Sequence, residues 1–513
     1  MRRVRILFFL IAFSFLSSHC TNSFLSPAKT KENVNLPLLS LLLLNVLPDI
    51  TCNSPGRFWA QDIQARAYYC VNSEKVAEGN RVIIFKERSI NPNYDYNRLV
   101  SEFDSNIYPR SANAFGVPSD IDGNGKTIIL ILDIRDGVTN STTSGFVGGY
   151  VDPVNFFQDN PNSASRSNGA EMVYIDGVQL ARANDRTPNM LLATIAHEYQ
   201  HLIRFPPMIQ INTSDDIWIN EGTSEVASDI SGYGPQTSRV NCFLGLGSCS
   251  GGFNGISMSN WQGSSGITLL KQYAFAYLFM KFLYENSGST VEDRNAFFRN
   301  TVNGNASRVR GRNLTDLTLL FSSTPRISGQ TAGINNLSQS ELFFRLHVNF
   351  LAQHHRVSQN TNSVFRSGFS SSQEVLANAI DLTNSFPSVQ TSSEILNLLT
   401  SSLPTVSSVP SSFASTSFAF LNQETLSSVL TSFSGTSNVF LVNSSGRSLL
   451  GFSNLTNTIA SSRSESSQTN GTNLANGNIS TNNQFPIDAK SLGGIGSGEP
   501  ICATPHLPSF QGR

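Results

Sequence analysis

The chain is poor in charge. Asp, Glu, Lys and Arg make up 14% of its 513 residues, against about 25% in an average soluble domain. Thirty-five basic residues face 36 acidic ones, a net charge of −1, which excludes a global basic field for nucleic acid and an acidic solvating protein alike. No apolar run comfortably reaches the roughly 20 residues of a membrane-spanning helix: Ile6 to Leu16 is short, and Leu36 to Leu47 is broken by Pro37, Ser40 and Asn45. The six Cys show no Cys-x-x-Cys spacing, so a cysteine-built zinc module is excluded. No repeat of fixed period marks a solenoid. What is abundant is Ser, Thr, Asn and 35 Phe. The length allows two to four domains, with ample chain for a core.

Both ends differ from the middle. Arg2, Arg3 and Arg5 ahead of an apolar stretch predict an export signal. Leu16-Ser17-Ser18-His19-Cys20 resembles a bacterial lipoprotein cleavage site, with His19 departing from the usual small residue. Acylation of Cys20 would hold the protein on a membrane without a spanning helix; an ordinary signal peptide cut nearby is the alternative. In an exported chain disulfides can form, and Cys52 with Cys70 and Cys242 with Cys249 suggest themselves as pairs. With Cys20 acylated, Cys502 is left over. Beyond residue 400, runs such as Ser417–Leu421 and Asn438–Val442 alternate as strands do. Residues 461 to 498 have few large apolar side chains and are expected to stay disordered.

The chemistry lies between. In Thr187-Pro188-Asn189-Met190-Leu191-Leu192-Ala193-Thr194-Ile195-Ala196-His197-Glu198-Tyr199-Gln200-His201, Thr187 is placed to cap a helix and Pro188 to open it. The apolar positions make it a buried helix. His197 and His201 stand one turn apart and can converge on one zinc ion, with Glu198 beside it to take a proton from bound water. A catalytic zinc usually has a third protein ligand. A third His is not there, since Arg204 and Pro207 occupy the positions a metzincin needs as Gly and His. Glu221, in Trp218-Ile219-Asn220-Glu221-Gly222-Thr223-Ser224-Glu225, supplies a carboxylate on a following packed helix.

With His-Glu-x-x-His and then Asn-Glu, the sequence resembles the gluzincin metallopeptidases. It is most similar to the secreted bacterial hyicolysin-like family, strongly over residues 170 to 290 and more weakly back to about residue 58. The resemblance implies His197, His201 and Glu221 as zinc ligands and Glu198 as general base. It implies a supporting role for Asn220, and for Glu225 in orienting a zinc-bound histidine. It also implies a tyrosine over the metal, for which Tyr273 is the first candidate; Tyr277, Tyr233, His347, His354 and His355 are alternatives. The strand Ala170–Asp176 either borders the cleft and pairs with extended substrate or lies inside the sheet.

Asp120-Ile121-Asp122-Gly123-Asn124-Gly125 matches the first half of a calcium loop, but Ile131 stands where its bidentate Glu is expected. Either Asp120, Asp122 and Asn124 hold a structural calcium, or the segment is a tight turn into a strand.

The expected fold is α+β: a zincin-like two-lobed domain over 51–400, with a twisted sheet, an active-site helix and a mostly helical lobe. It lies between a signal (1–20) with tether (21–50) and a small β-rich region (401–460) with tail (461–513). The expected function is an exported zinc endopeptidase acting on protein or peptide substrates, with no nucleic-acid partner. An exopeptidase would need an acidic amine-binding group, which is not evident. An adhesin on the same scaffold would not need Glu198.

Overall fold

Thr127–Leu132, the apolar run TIILIL, is buried along its whole length, as a strand covered on both faces must be. The computed structural model describes residues 52, 54–139, 145–184, 189–250, 253–261, 266–328, 337–354, 364–366, 405–422, 426–433, most of 436–462, and 500–503. The chain divides into Met1–Thr51 and Cys52–Arg513. The export signal, Cys20, the Leu36–Leu47 run, Thr187, Pro188, His355, the side chain of His354 and residues 463–499 lie outside the described residues.

The strands of the main sheet are β1 (Arg57–Asp62), β2 (Ala67–Glu78), β3 (Val82–Glu87), β4 (Thr127–Leu132), β5 (Phe146–Tyr150) and β6 (Met172–Asp176). A second set is β7 (Val364–Arg366), β8 (Ser412–Ala414), β9 (Ser417–Leu421), β10 (Val439–Ser444), β11 (Arg447–Phe452) and β12 (Ile459–Ser461); β13 (Pro500–Ala503) returns to the first. The main sheet runs β1-β2-β3-β4-β6-β5-β13. β3, β4 and β6 are mutually parallel, and β5 is antiparallel to β6. The 57–78 hairpin is therefore an integral part of the sheet, pinned by a Cys52–Cys70 disulfide. β6 lies between β4 and β5, so of the two readings of Ala170–Asp176 the interior strand is the one found.

The helices that frame the main sheet and the core include α1 (Tyr96–Glu102), α2 (Tyr108–Phe115), α3 (Gln179–Asn184), α4 (Met190–Gln210), α5 (Ile217–Ile230), α6 (Thr237–Phe243), α7 (Gly266–Asn286), α8 (Val291–Asn303), α9 (Leu314–Ser322) and α10 (Gln339–His354). The architecture is α+β. α4 packs on β5 and β6, α5 lies between α4 and α7, and α2 meets α8. α5 and α7 approach closely at Gly222, where a Cβ would fall 2.7 Å from Met280 Cγ and 2.8 Å from the Ala276 carbonyl. A larger residue there would push the two helices apart.

α4 starts at Met190, after Asn189 in a left-handed conformation (φ 68°). It continues past Arg204 through Pro206 and Pro207 to Gln210. The prolines cost the last turns two N–H donors, but tertiary contacts hold that end. Arg204 is fully buried, its Nε 2.7 Å from Asp215 and its Nη2 2.9 Å from the Gly311 carbonyl.

The β-rich region docks on the helices. Phe418 of β9 packs edge-on to Phe275 of α7 and stacks on Phe253, while backbone bridges join Asn254 to Phe418 and Ser257 to Ser417. Its other face closes a smaller core around Phe413, Val429 and Phe433. β13, in the 461–513 tail just past the stretch expected to stay disordered, runs parallel to β5.

Candidate metal centre

His197 and His201 point the same way from α4, and Glu221 faces them from α5. The two imidazole Nε2 atoms are 3.0 Å apart. Glu221 Oε2 lies 3.3 Å from that of His197 and 3.7 Å from that of His201. Ligands about 2.0–2.1 Å from one tetrahedral zinc sit roughly 3.3 Å from each other. The triangle of donor atoms thus matches one face of such a tetrahedron. All three side chains are buried, and Glu221 Oε1 has no hydrogen-bond donor. A buried carboxylate so placed is costly unless a cation compensates it.

The electrostatics agree. Burial alone would raise Glu221, but the imidazoles of His201 and His197 outweigh it and bring its pKa to about 2. Burial works against a charged His197 as well. The Glu221 hydrogen bond and the charges of Glu198 and Glu225 nonetheless hold its pKa above the ordinary value. The pocket attracts positive charge between these side chains, which a metal ion would supply.

The partner of His201 sets its tautomer. Asn220 Oδ1 lies 3.0 Å from His201 Nδ1, and an amide oxygen only accepts, so Nδ1 carries the proton. The Nε2 lone pair is then free to face the cluster. Ser224 Oγ lies 3.1 Å from the same Nδ1 and donates to Gln200 Oε1. Gln200 Nε2 reaches Thr223 Oγ1. Asn220 and Ser224, one turn apart on α5, therefore hold the ring from one side. Glu225 stands apart from this contact: its Oε1 takes Arg239 Nε at 2.9 Å, and it acts on His197 through charge.

Glu198 is fully buried and lies against β5. A Cβ on Gly149 would fall 2.9 Å from Glu198 Cγ and 3.0 Å from the Tyr174 carbonyl. Only glycine lets the carboxylate occupy this place. Gly149, Ser224, Gln200 and Arg239 take parts here that the sequence did not assign to them. Ser224 was legible as the position one helical turn beyond Asn220; Gly149 carries no local signal.

The other candidates fall in several places. Tyr273 is buried on α7 with its ring 4.9 Å from that of Trp261 and the Arg239 guanidinium 5.0 Å above it. Tyr277 donates to Asp229 Oδ2 at 2.8 Å and receives the Gln236 N–H, while Lys281 pairs with the same carboxylate. Tyr233 donates to Glu102. His347 is fully buried between Phe343 and Phe275, neither nitrogen has a partner, and burial lowers its pKa to about 3. It is a neutral core imidazole. Asp120, Asp122 and Asn124 form an exposed turn ahead of β4. Among the described residues the disulfides are Cys52–Cys70 and Cys242–Cys249.

No family model matches the chain. Over 191 residues it is 31% identical to the neutral metalloprotease ShpI of Staphylococcus hyicus, covering 36% of this chain and 41% of that protein. The chain thus spans about two fifths of the length of the relative it matches. This likeness and the His197, His201 and Glu221 cluster together support a zinc metalloprotease. Among the described residues no helix is long and apolar enough to cross a membrane.

Proposed function

We propose that the chain is an exported zinc-dependent endopeptidase, held at the cell envelope by acylation of Cys20 and acting on protein or peptide substrates. The observation that carries this reading is the buried convergence of His197, His201 and Glu221 with Glu198 next to the first of them. A site that only stored metal would not require a second buried carboxylate there.

His197, His201 and Glu221 would hold the ion. When bound, zinc acidifies a water molecule and polarises a peptide carbonyl. Glu198 takes the water's proton and hands it to the departing amine. Gly149 keeps the space that Glu198 occupies, and Asn220 and Ser224 keep the His201 ring aimed. Tyr273 is the proposed donor to the oxyanion. With no acidic amine-capturing group evident in the sequence, internal bonds are the proposed targets.

The test is hydrolysis of a loosely folded protein by residues 21–513, wild type beside Glu198→Ala, with zinc content measured in both. The expected result is a loss of about 10² to 10⁴ in rate with zinc retained. Full activity in the variant, or a zinc-loaded wild type that cleaves nothing, would overturn the reading.

A further inference from the structure

We propose a second metal site, for calcium, built from Asp120, Asp122 and Glu171. One carboxylate oxygen from each comes within 4.8 Å of the others. Calcium, with bonds of about 2.3–2.6 Å, bridges oxygens up to roughly 5 Å apart. The decisive member is Glu171. It is 2% exposed, its Oε2 has no hydrogen-bond partner, and its Oε1 takes the Ser119 hydroxyl at 2.7 Å and the Ile121 N–H at 2.8 Å. A buried carboxylate is thus held against the very turn that carries two more. Among the described residues none of the three is paired with Lys or Arg; the Lys126 ammonium is engaged by Glu78.

Glu171 takes over the part that the loop's own twelfth position, Ile131, cannot play. Asn124 is not free to do so: its Nδ2 donates to Asp122 and its Oδ1 takes the Lys126 N–H. Because the Glu171 carbonyl also receives the Ile128 N–H, the ion would tie the 119–125 turn to the start of β6 beside β4. Calcium tolerates such an irregular, partly hydrated oxygen set, whereas magnesium demands a tight octahedron.

The test is calcium titration of the full chain, freed of divalent ions and reloaded with one equivalent of zinc, by calorimetry and thermal unfolding. One calcium per chain with a dissociation constant on the order of 10⁻⁴ M and a raised unfolding temperature is expected. Asp122→Asn, at an exposed position, and Glu171→Gln should each weaken binding at least tenfold with zinc content unchanged. No uptake by the wild type, unchanged affinity in Asp122→Asn, or magnesium binding as tightly as calcium would overturn the assignment.

A different observation carries a second inference, which rests on the peptidase reading. β13 adds to β5, the strand whose Gly149 abuts Glu198, and Cys502 pairs in register with that glycine. β13 also contacts α4. An extended peptide reaching Glu198 along β5 needs that same edge. We infer that Pro500–Ala503 occupies the substrate's place and restrains activity. A chain ending at Gly498 should cleave protein substrate several-fold faster, and the backbone amides of β5 should exchange faster with deuterium. Unchanged exchange, or unchanged turnover by a chain that is active, would overturn the restraint. Faster exchange with no turnover in either chain would instead overturn the peptidase reading.

Discussion

Gly149 on β5 and Glu198 on α4 meet with no room for another atom: a Cβ on the glycine would fall 2.9 Å from Glu198 Cγ and 3.1 Å from its Oε1. The Tyr174 carbonyl behind it, at 3.0 Å, belongs to the paired strand β6 and cannot retreat. Gly149→Ala should therefore displace the carboxylate rather than the sheet. A misplacement on the order of 1 Å can cost about 100-fold in rate. Steady-state kinetics beside zinc content should show kcat down by roughly 10- to 100-fold with the metal in place. Unchanged kcat would mean that the Gly149 contact does not set the position of Glu198.

Asn220 holds His201 by Nδ1, so its removal should act on the metal rather than on the chemistry. Asn220→Ala is expected to weaken zinc affinity by about 10- to 100-fold, read by competition with a chromogenic chelator. Activity at saturating zinc should largely return. Ser224→Ala should show a smaller change in the same direction, because the Asn220 contact persists.

The buried trio of Asp229, Lys281 and Tyr277 separates structure from catalysis. Lys281→Met would leave Asp229 buried without its cation, at a cost of about 3–5 kcal/mol, seen in urea unfolding. Tyr277→Phe removes one hydrogen bond to a charged group and should cost roughly 1.5–3 kcal/mol. The folded fraction of Tyr277→Phe should turn over at the wild-type rate. A drop in kcat with stability unchanged would move Tyr277 from the core to the reaction.

Asp136 should make one part of stability grow on acidification. Burial raises its pKa from 3.8 to about 6, against the N–H groups of Val147 and Val138 that favour its charge. A pKa raised on folding gives stability that is full below the unfolded value and lost as pH rises through the folded one. Between pH 7.5 and 4.5 this group should add about 2 kcal/mol. The difference between wild type and Asp136→Asn in denaturant unfolding should move by that amount across this range, in favour of the wild type at low pH. A constant difference would refute the assignment.

Much of the centre was legible in the chain because helices make chemistry local. The four-position step from His197 to His201 fixes the two rings on one face of α4, and Asn220, Glu221 and Ser224 share a helix for the same reason. Strand character in β4 was legible from its unbroken apolar run. The order of the sheet was not: nothing local says that β5 reverses beside β6, that residues 57–78 extend the sheet, or that Pro500–Ala503 joins its far edge.

The sequence by itself determined which side chains could bind a metal and which could move a proton, since spacing along a helix is a short-range property of the backbone. Only the tertiary structure decided what surrounds them. Gly149 reaches Glu198 across 49 positions, taken as 198 − 149, and Glu171 reaches the Asp120–Asp122 turn across about as many. Arg239 takes Glu225, and Asn220 rather than Glu225 holds His201. Such partners are chosen by how sheet and helices pack, and packing is settled by the whole core at once rather than by any stretch of chain.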